Sequence, residues 1–401
     1  MPLDPVETLR DLVRIPSVNP MGRVVDGPEF YEYRVTDYLQ ALFTRLGLPW
    51  RRQTVEPRRD NIVARLDGAK PPAAGGAVLM LEAHQDTVPV DGMTIDPFAA
   101  DVRDGRIYGR GACDIKGGMA SMLAAVSRLA EARPADMPTI LVACTVNEEQ
   151  GFTGAKAIAQ LWNAADGIFP RMPDAAIVAE PTSLDVVVAH KGCVRWECRV
   201  RGRAMHSSRP ELGDNAIYKM GRVLAVLERY QREVAPTLGE HPRCGRPSLS
   251  VGTIAGGLSV NTVPDECTIK IDRRLLPDED PQTAMRHVVE YLAHETSIDF
   301  PVEHDAPFLP SHGLPDRHNT VLGERLRATA NEIAPGRSLI GVPYGTDAST
   351  FQAAGCPSVV FGPGSIDQAH TCDEWIEIDQ LHAAAEILYR FAGQFTSVSD
   401  A

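Results

Sequence analysis

The chain has 401 residues, 44% hydrophobic and 23% charged, an ordinary globular balance in a length that suits two cores better than one. A formal net charge of -13 argues against nucleic acid or an anionic membrane as general partners, while leaving room for a locally positive site. No apolar run approaches the roughly 18 residues of a bilayer span, and the eight cysteines form no CxxC pair, so a reduced, cytoplasmic protein is expected.

Met1 to Arg14 carries Asp4, Glu7 and Asp11 among apolar residues, which reads as an amphipathic helix rather than a signal peptide. Glu29 to Leu46 predicts a long helix through Phe30, Val35, Tyr38, Leu39, Leu42 and Leu46, closed by Gly47. Ala77 to Ala83 is a buried strand, and Asp101 to Arg110 a hairpin with Asp104-Gly105 at its turn. Helix Gly117 to Glu131, strand Thr139 to Thr145, helix Thr153 to Trp162 and strand Ala175 to Val178 follow. This alternation predicts an α/β fold, a mostly parallel sheet with helices on both faces.

Past Pro181 the pattern changes. Val186 to Val200 is strand-like, Asp214 to Tyr230 helical, and Ser248 to Ile254 a strand. Glu266 to Arg274 alternates through Cys267, Ile269 and Ile271; helix Pro281 to Ala293 and strand Ile298 to Val302 complete a β-α-β-β-α-β order. The expected organisation is a first part over 1–184, an inserted ferredoxin-like α+β domain over 185–300, and a return to the first style over 301–401. That last part holds helix 317–333, strand 357–361 and helix 379–395.

Several strand ends carry polar residues that suit metal chemistry. His84 and Asp86 follow the first buried strand at i and i+2, a spacing that lets a carboxylate hold the second ring nitrogen of a ligating histidine. Alone, His-x-Asp is a weak signal, and a satisfied histidine with a loop-capping aspartate is its default reading. Asp114 lies among glycines between hairpin and helix, as an N-cap or as a carboxylate bridging two metals. Glu148 and Glu149 follow another strand; an acidic turn is a common reading, but ligands in open α/β sheets gather beyond the carboxyl ends of strands. One of the two glutamates can bind metal while the other serves as general base. With Glu180 after a further strand and His370 in a late loop, two divalent metals would each receive one histidine, one terminal carboxylate and a share of the bridge. Mixed imidazole and carboxylate donors suit catalytic Zn²⁺, with Co²⁺ or Mn²⁺ as alternatives.

In order, HQDTVPV, DPFAADVRDGRIYGRGACDIKGGMAS, TVNEEQGFTGA, AEPT, GGLSVNTVPDECTIKIDRR, YGTDAS and GPGSIDQAHTCDEW resemble the M20 metallopeptidase family. The resemblance spans about residues 5 to 395. It implies His84, Asp114, Glu149, Glu180 and His370 as metal ligands, Asp86 as the residue orienting His84, and Glu148 as general base. It also implies that the insertion is a lid or dimerisation domain forming a homodimer, with His206 reaching a neighbouring active site to stabilise the oxyanion. Asn261, Arg273, Thr346 and Gly364 stand where the family contacts substrate. The expected reaction is hydrolysis of the amide bond of a small N-acyl amino acid, in the manner of the acetylornithine deacetylase branch. Succinyl-diaminopimelate desuccinylase, a dipeptidase or carboxypeptidase, and a hydrolase of cyclic or ureido substrates are the alternatives. A catalytically silent carboxylate-binding protein would be a different class; no ligand or base is missing from the motifs to indicate one.

Overall fold

The computed structural model describes residues 2–162 and 167–397. It divides into two compact units, Met1–Val188 with Asp316–Ile340 and Thr346–Ala401, and Ala189–Pro315 with Gly341–Gly345. The chain runs α1 (Pro5–Val13), α2 (Tyr33–Arg45), β1 (Trp50–Glu56), β2 (Arg59–Leu66), β3 (Val78–His84), β4 (Asp101–Arg103), β5 (Arg106–Tyr108), α3 (Lys116–Ala132), β6 (Thr139–Thr145), α4 (Thr153–Leu161), β7 (Ala175–Val178) and β8 (Val186–His190). Then come β9 (Gly192–Arg201), β10 (Met205–His206), α5 (Ala216–Arg229), β11 (Ser248–Gly256), β12 (Thr262–Val263), β13 (Glu266–Leu275), α6 (Pro281–Ala293), β14 (Val302–His304) and β15 (Leu309–Ser311). The last elements are α7 (Thr320–Ile333), β16 (Leu339–Val342), α8 (Ala348–Ala353), β17 (Ser358–Val360), β18 (Trp375–Glu377) and α9 (Ile378–Gly393).

The large sheet has the order β1-β2-β6-β3-β7-β17-β8-β16. Parallel pairing joins β6, β3, β7 and β17, whereas β1–β2, β2–β6 and β17–β8 are antiparallel. Every residue of β3, β6 and β7 is buried, as strands covered on both faces must be. Along β3, Leu79, Leu81 and Ala83 join the core cluster that holds residues of α1, α2, α3 and α9. By strand alternation, Met80, Glu82 and His84 project from the opposite face. The carboxyl ends of all four parallel strands therefore open on one edge of the sheet, ready to present side chains to a common point.

The second unit has its own antiparallel sheet, ordered β11-β13-β9-β14 with β15 also on β9. This is the ferredoxin-like arrangement the element order predicts. Val194, Trp196, Cys198 and Val200 of β9 pack with Cys267, Ile269 and Ile271 of β13 and with Met220, Val223 and Leu227 of α5.

Some expected elements change. The helix expected from Glu29 begins only at Tyr33: Phe30 bridges Val18, Tyr31 N–H donates to the Val18 carbonyl at 3.0 Å, and Tyr31 has φ +68. A tertiary pairing has overridden the apolar periodicity. Val186 to Val200 is two strands broken at Lys191, so the unit boundary falls at Val188 rather than at 184. Residues 301–315 belong to the second unit, because β14 and β15 both pair with β9. The strand expected at Ile298 starts at Val302, while Ile298 and Phe300 pack against the core from outside a strand. Absent from the sequence reading is the hairpin β1–β2, whose first strand is polar and only partly buried, as edge strands often are.

Candidate metal centre

Four loops at the open end of the parallel strands bring the predicted ligands together. His84 is the last residue of β3; Glu148 and Glu149 follow β6, Glu180 follows β7, and His370 lies in the loop after β17. Asp114 comes from the loop between β5 and α3 and lies between the histidines. Its Oδ1 is 3.3 Å from His84 Nε2, and its Oδ2 is 3.2 Å from His370 Nε2. Glu180 Oε1 lies 3.9 Å from His84 Nε2, and Glu149 Oε2 lies 3.2 Å from His370 Nε2. Two groups result, His84–Asp114–Glu180 and Asp114–Glu149–His370, each with ligand atoms within 4.8 Å of one another.

These donors fit divalent cations. His84 Nε2 and Glu149 Oε1 are buried without a hydrogen-bond partner among the described residues. The electrostatics require positive charge at the same place. Burial, then the charge of Asp114, pushes the Glu149 carboxyl up to about 7. Burial, then Glu180, holds Glu148 well above the ordinary glutamate range, and burial with Asp114 does the same to Glu180. Hydrogen bonding to Asp114 and then Glu149 raises His370 to about 10. Burial opposes the protonated form of His84, but Asp114, Glu148, Glu180 and Asp86 together drive it well above its usual value. Asp114 moves the other way: burial is outweighed by His370 and His84, and its carboxyl falls well below the usual range. Without cations the cluster would hold protons, which is the behaviour of a metal-ligand set.

The Asp86 carboxylate has a different job from the expected one. Strand β3 stops at His84, and His84 Nδ1 meets the backbone carbonyl of Asp86 at 2.9 Å, with the carboxylate 3.7 Å away. That carboxylate accepts the N–H groups of Glu148 (3.1 Å) and Glu149 (3.2 Å) and the Asn19 amide (2.8 Å). One residue earlier, Asn147 N–H donates to Glu32 at 3.2 Å, and Glu32 is paired with Arg59 at 2.6 Å. Three successive N–H groups thus face two buried carboxylates, with Asn147 at φ +60, a conformation asparagine tolerates. Thr145 Oγ1 lies 2.6 Å from Glu82 and 3.0 Å from Asp347, with one proton to donate between the two carboxyl groups. Asn19, Glu32 and Arg59 were missed because nothing local marks them; Glu82, the charge inside the apolar strand before His84, and Asp347, inside the quoted YGTDAS motif, were visible in the sequence.

The proposed substrate contacts fare differently. Thr346 is fully buried, and its hydroxyl accepts the Ala348 N–H at 3.2 Å at the start of α8. Gly364 spends both backbone groups internally, donating to Gln380 (2.9 Å) and accepting from Ser183 (2.6 Å). Its glycine is needed at φ +86, where a Cβ would lie 2.6 Å from Cys113 Sγ. Both residues shape the site's surroundings rather than offering a free group. In the second unit, His206 and Asn261 are exposed, and His206 Nδ1 lies 2.7 Å from Ser208 Oγ. Arg273 is fully buried and ion-paired with Glu279 at 2.8 Å, so its guanidinium is not presented at the surface to a substrate carboxylate. Strand period explains this: Arg273 shares the inward face of Cys267, Ile269 and Ile271, and Arg274 is the residue on the open face. The alternation was already visible in the sequence.

Histidines and carboxylates converging at the open ends of a parallel sheet, beside one further buried glutamate, define the site of a metal-dependent hydrolase. Residues 80–394 match the model of peptidase family M20/M25/M40, and the chain belongs to that family. An acetylornithine deacetylase from Myxococcus xanthus is 32% identical over 371 residues, covering 90% of this chain and 91% of that protein. An M20 family metallo-carboxypeptidase from Sulfolobus solfataricus has a TM-score of 0.76 at 18% identity, covering 98% of this chain and 99% of that one. A Bacillus subtilis protein described as a dinuclear metal binding peptidase from the M20 family has a TM-score of 0.66 at 18% identity, covering 97% and 96%. With these relatives, the protein is a metal-dependent amide hydrolase. No helix among the described residues is long and apolar enough to cross a membrane.

Proposed function

We propose that the protein hydrolyses the amide bond of a small N-acyl amino acid, with N-acetylornithine the first candidate, using two divalent cations of which Zn²⁺ is the simplest choice. The observation that carries this reading is the split of the two Asp114 oxygens between His84 and His370. His84, Asp114 and Glu180 would hold one cation, and Asp114, Glu149 and His370 the other. When bound, the pair would make water acidic near neutral pH and polarise the acyl oxygen. Glu148 takes the proton of the attacking water and delivers it to the leaving amine. Asp86 acts through the backbone, fixing where Glu148 and Glu149 stand.

The second unit is proposed as a lid and dimerisation domain, with His206 donating to the developing oxyanion of a neighbouring subunit. Support comes from the exposed Leu258 and Val260 near Asn261, from exposed Tyr218, and from β11 at the edge of its sheet. With Arg273 buried, we assign recognition of the substrate carboxylate to the adjacent Arg274, which is partly exposed and pairs with Asp272 through Nε at 2.8 Å. The experiment is amine release from N-acetylornithine, N-succinyl-diaminopimelate, other N-acyl amino acids and dipeptides, with metal-loaded and chelator-treated protein. Turnover of none of these, or full turnover without metal, would overturn the reading.

A further inference from the structure

The loop that carries Asp114 is wound around a carboxylate outside the ligand set. Glu374 is fully buried. Its Oε1 accepts the backbone N–H groups of Cys113 at 2.8 Å and Asp114 at 2.9 Å. Its Oε2 accepts the N–H of Gly111 at 3.0 Å and the Arg110 guanidinium at 2.6 Å. All four partners are donors, so the place is built for a carboxylate; an amide in either orientation would set its own N–H₂ against two of them. Gly111, at φ +82, lets the loop curl tightly enough for its N–H groups to converge.

Arg110 extends the arrangement. Its other terminal nitrogen donates to the carbonyls of Pro89 at 3.1 Å and Thr371 at 3.3 Å. Pro89 closes the segment that follows His84, and Thr371 is the residue after His370. One buried ion pair therefore ties together the segments bearing His84, Asp114 and His370. Such a pair adds little net stability compared with an apolar replacement. What it supplies is geometry: a shift of Asp114 would disturb both of its oxygens at once.

We propose that Glu374, with Arg110, is the positioning residue of the metal centre, setting where the shared Asp114 carboxylate stands relative to both histidines. This rests on the two-metal reading above. The test is titration of Co²⁺ into chelator-treated wild type, Glu374→Gln and Arg110→Lys, followed by calorimetry and by visible absorption of the bound cobalt. Leu388→Ala, a cavity in the core of the same unit, shows what lost stability alone does. Glu374→Gln is expected to weaken both cobalt ions by ~10–100-fold and to change the cobalt spectrum, as loss of a group that orients a ligand does. Leu388→Ala is expected to lower the melting temperature with affinity and spectrum unchanged. Wild-type cobalt affinity and spectrum in folded Glu374→Gln would overturn the proposal. If that variant does not fold, Arg110→Lys decides: about tenfold weaker cobalt binding supports the assignment, and wild-type affinity overturns it. A wild-type chain that binds no cobalt would remove the metal reading itself, and this inference with it.

Discussion

The two ligand groups that share Asp114 are held in different ways. His84 ends a strand buried along its whole length, is 2% exposed, and is fixed by a carbonyl two residues on. His370 stands in a loop at φ +63 with its side chain 55% exposed. His84 stands on the sheet and His370 on a loop, while the Glu374–Arg110 pair holds the loop of Asp114, which both groups share. The contrast teaches that one shared carboxylate can stand between a buried histidine and one open to solvent.

The largest effect expected is in Glu148→Gln, with kcat lowered by about 10²–10⁴ while both groups still load metal. Metal analysis checks it, and loss of metal alongside activity would put Glu148 among the ligands and break the division. Next comes Asp86→Asn. If the carboxylate caps the Glu148–Glu149 turn, kcat falls by ~10–100-fold while the His84 group keeps its metal. Preferential loss of that metal would instead restore a carboxylate holding His84. Chelator added to the metal-loaded protein should remove metal in two phases, the His370 group first, and His370→Ala should retain one equivalent. A single phase with both metals leaving together would erase the contrast.

The smallest effect concerns a histidine as buried as His84 but outside the site. His190 Nδ1–H donates to the Lys191 carbonyl at 2.9 Å, and burial pushes the imidazole down to about 4, opposite to His84 among its carboxylates. Its folded value lies below the ordinary 6.5, so the neutral form is favoured in the fold. Its contribution is complete above pH 6.5 and is lost as pH falls through 4, reaching about 3 kcal/mol. Denaturant melts of His190→Gln between pH 7 and 4 should be flatter than wild type. An unchanged slope would show that burial is not what separates the two histidines.

Much of this was legible in residues 78–81, 139–145 and 175–178, where short apolar runs announce strands covered on both faces. The convergence of the candidate residues Glu148, Glu149 and Glu180 was legible for the same reason, since polar residues just past such strands stand at an open sheet edge, whereas Asp114 and His370 lie in longer loops. Arg273 was misread although the alternation through Ile269 and Ile271 already put it inward. The hairpin β1–β2 and the start of α2 were not legible, because β1 is polar and only partly buried and because a Val18–Phe30 bridge overrides the local periodicity.

The sequence by itself determined the class of the main buried strands and of the long helices, the order β-α-β-β-α-β of the second unit, and which histidines and carboxylates stand after strands. These follow from short-range periodicity and from side-chain chemistry. Only the tertiary structure decided that the Asp86 carboxylate caps two backbone N–H groups, that Glu32 and Asn19 stand behind them, and that Glu374 gathers the Asp114 loop. The physical reason is that a carboxylate can accept from any donor the fold brings to it. Glu374 lies 260 residues from the Asp114 it holds, and no local pattern records that meeting.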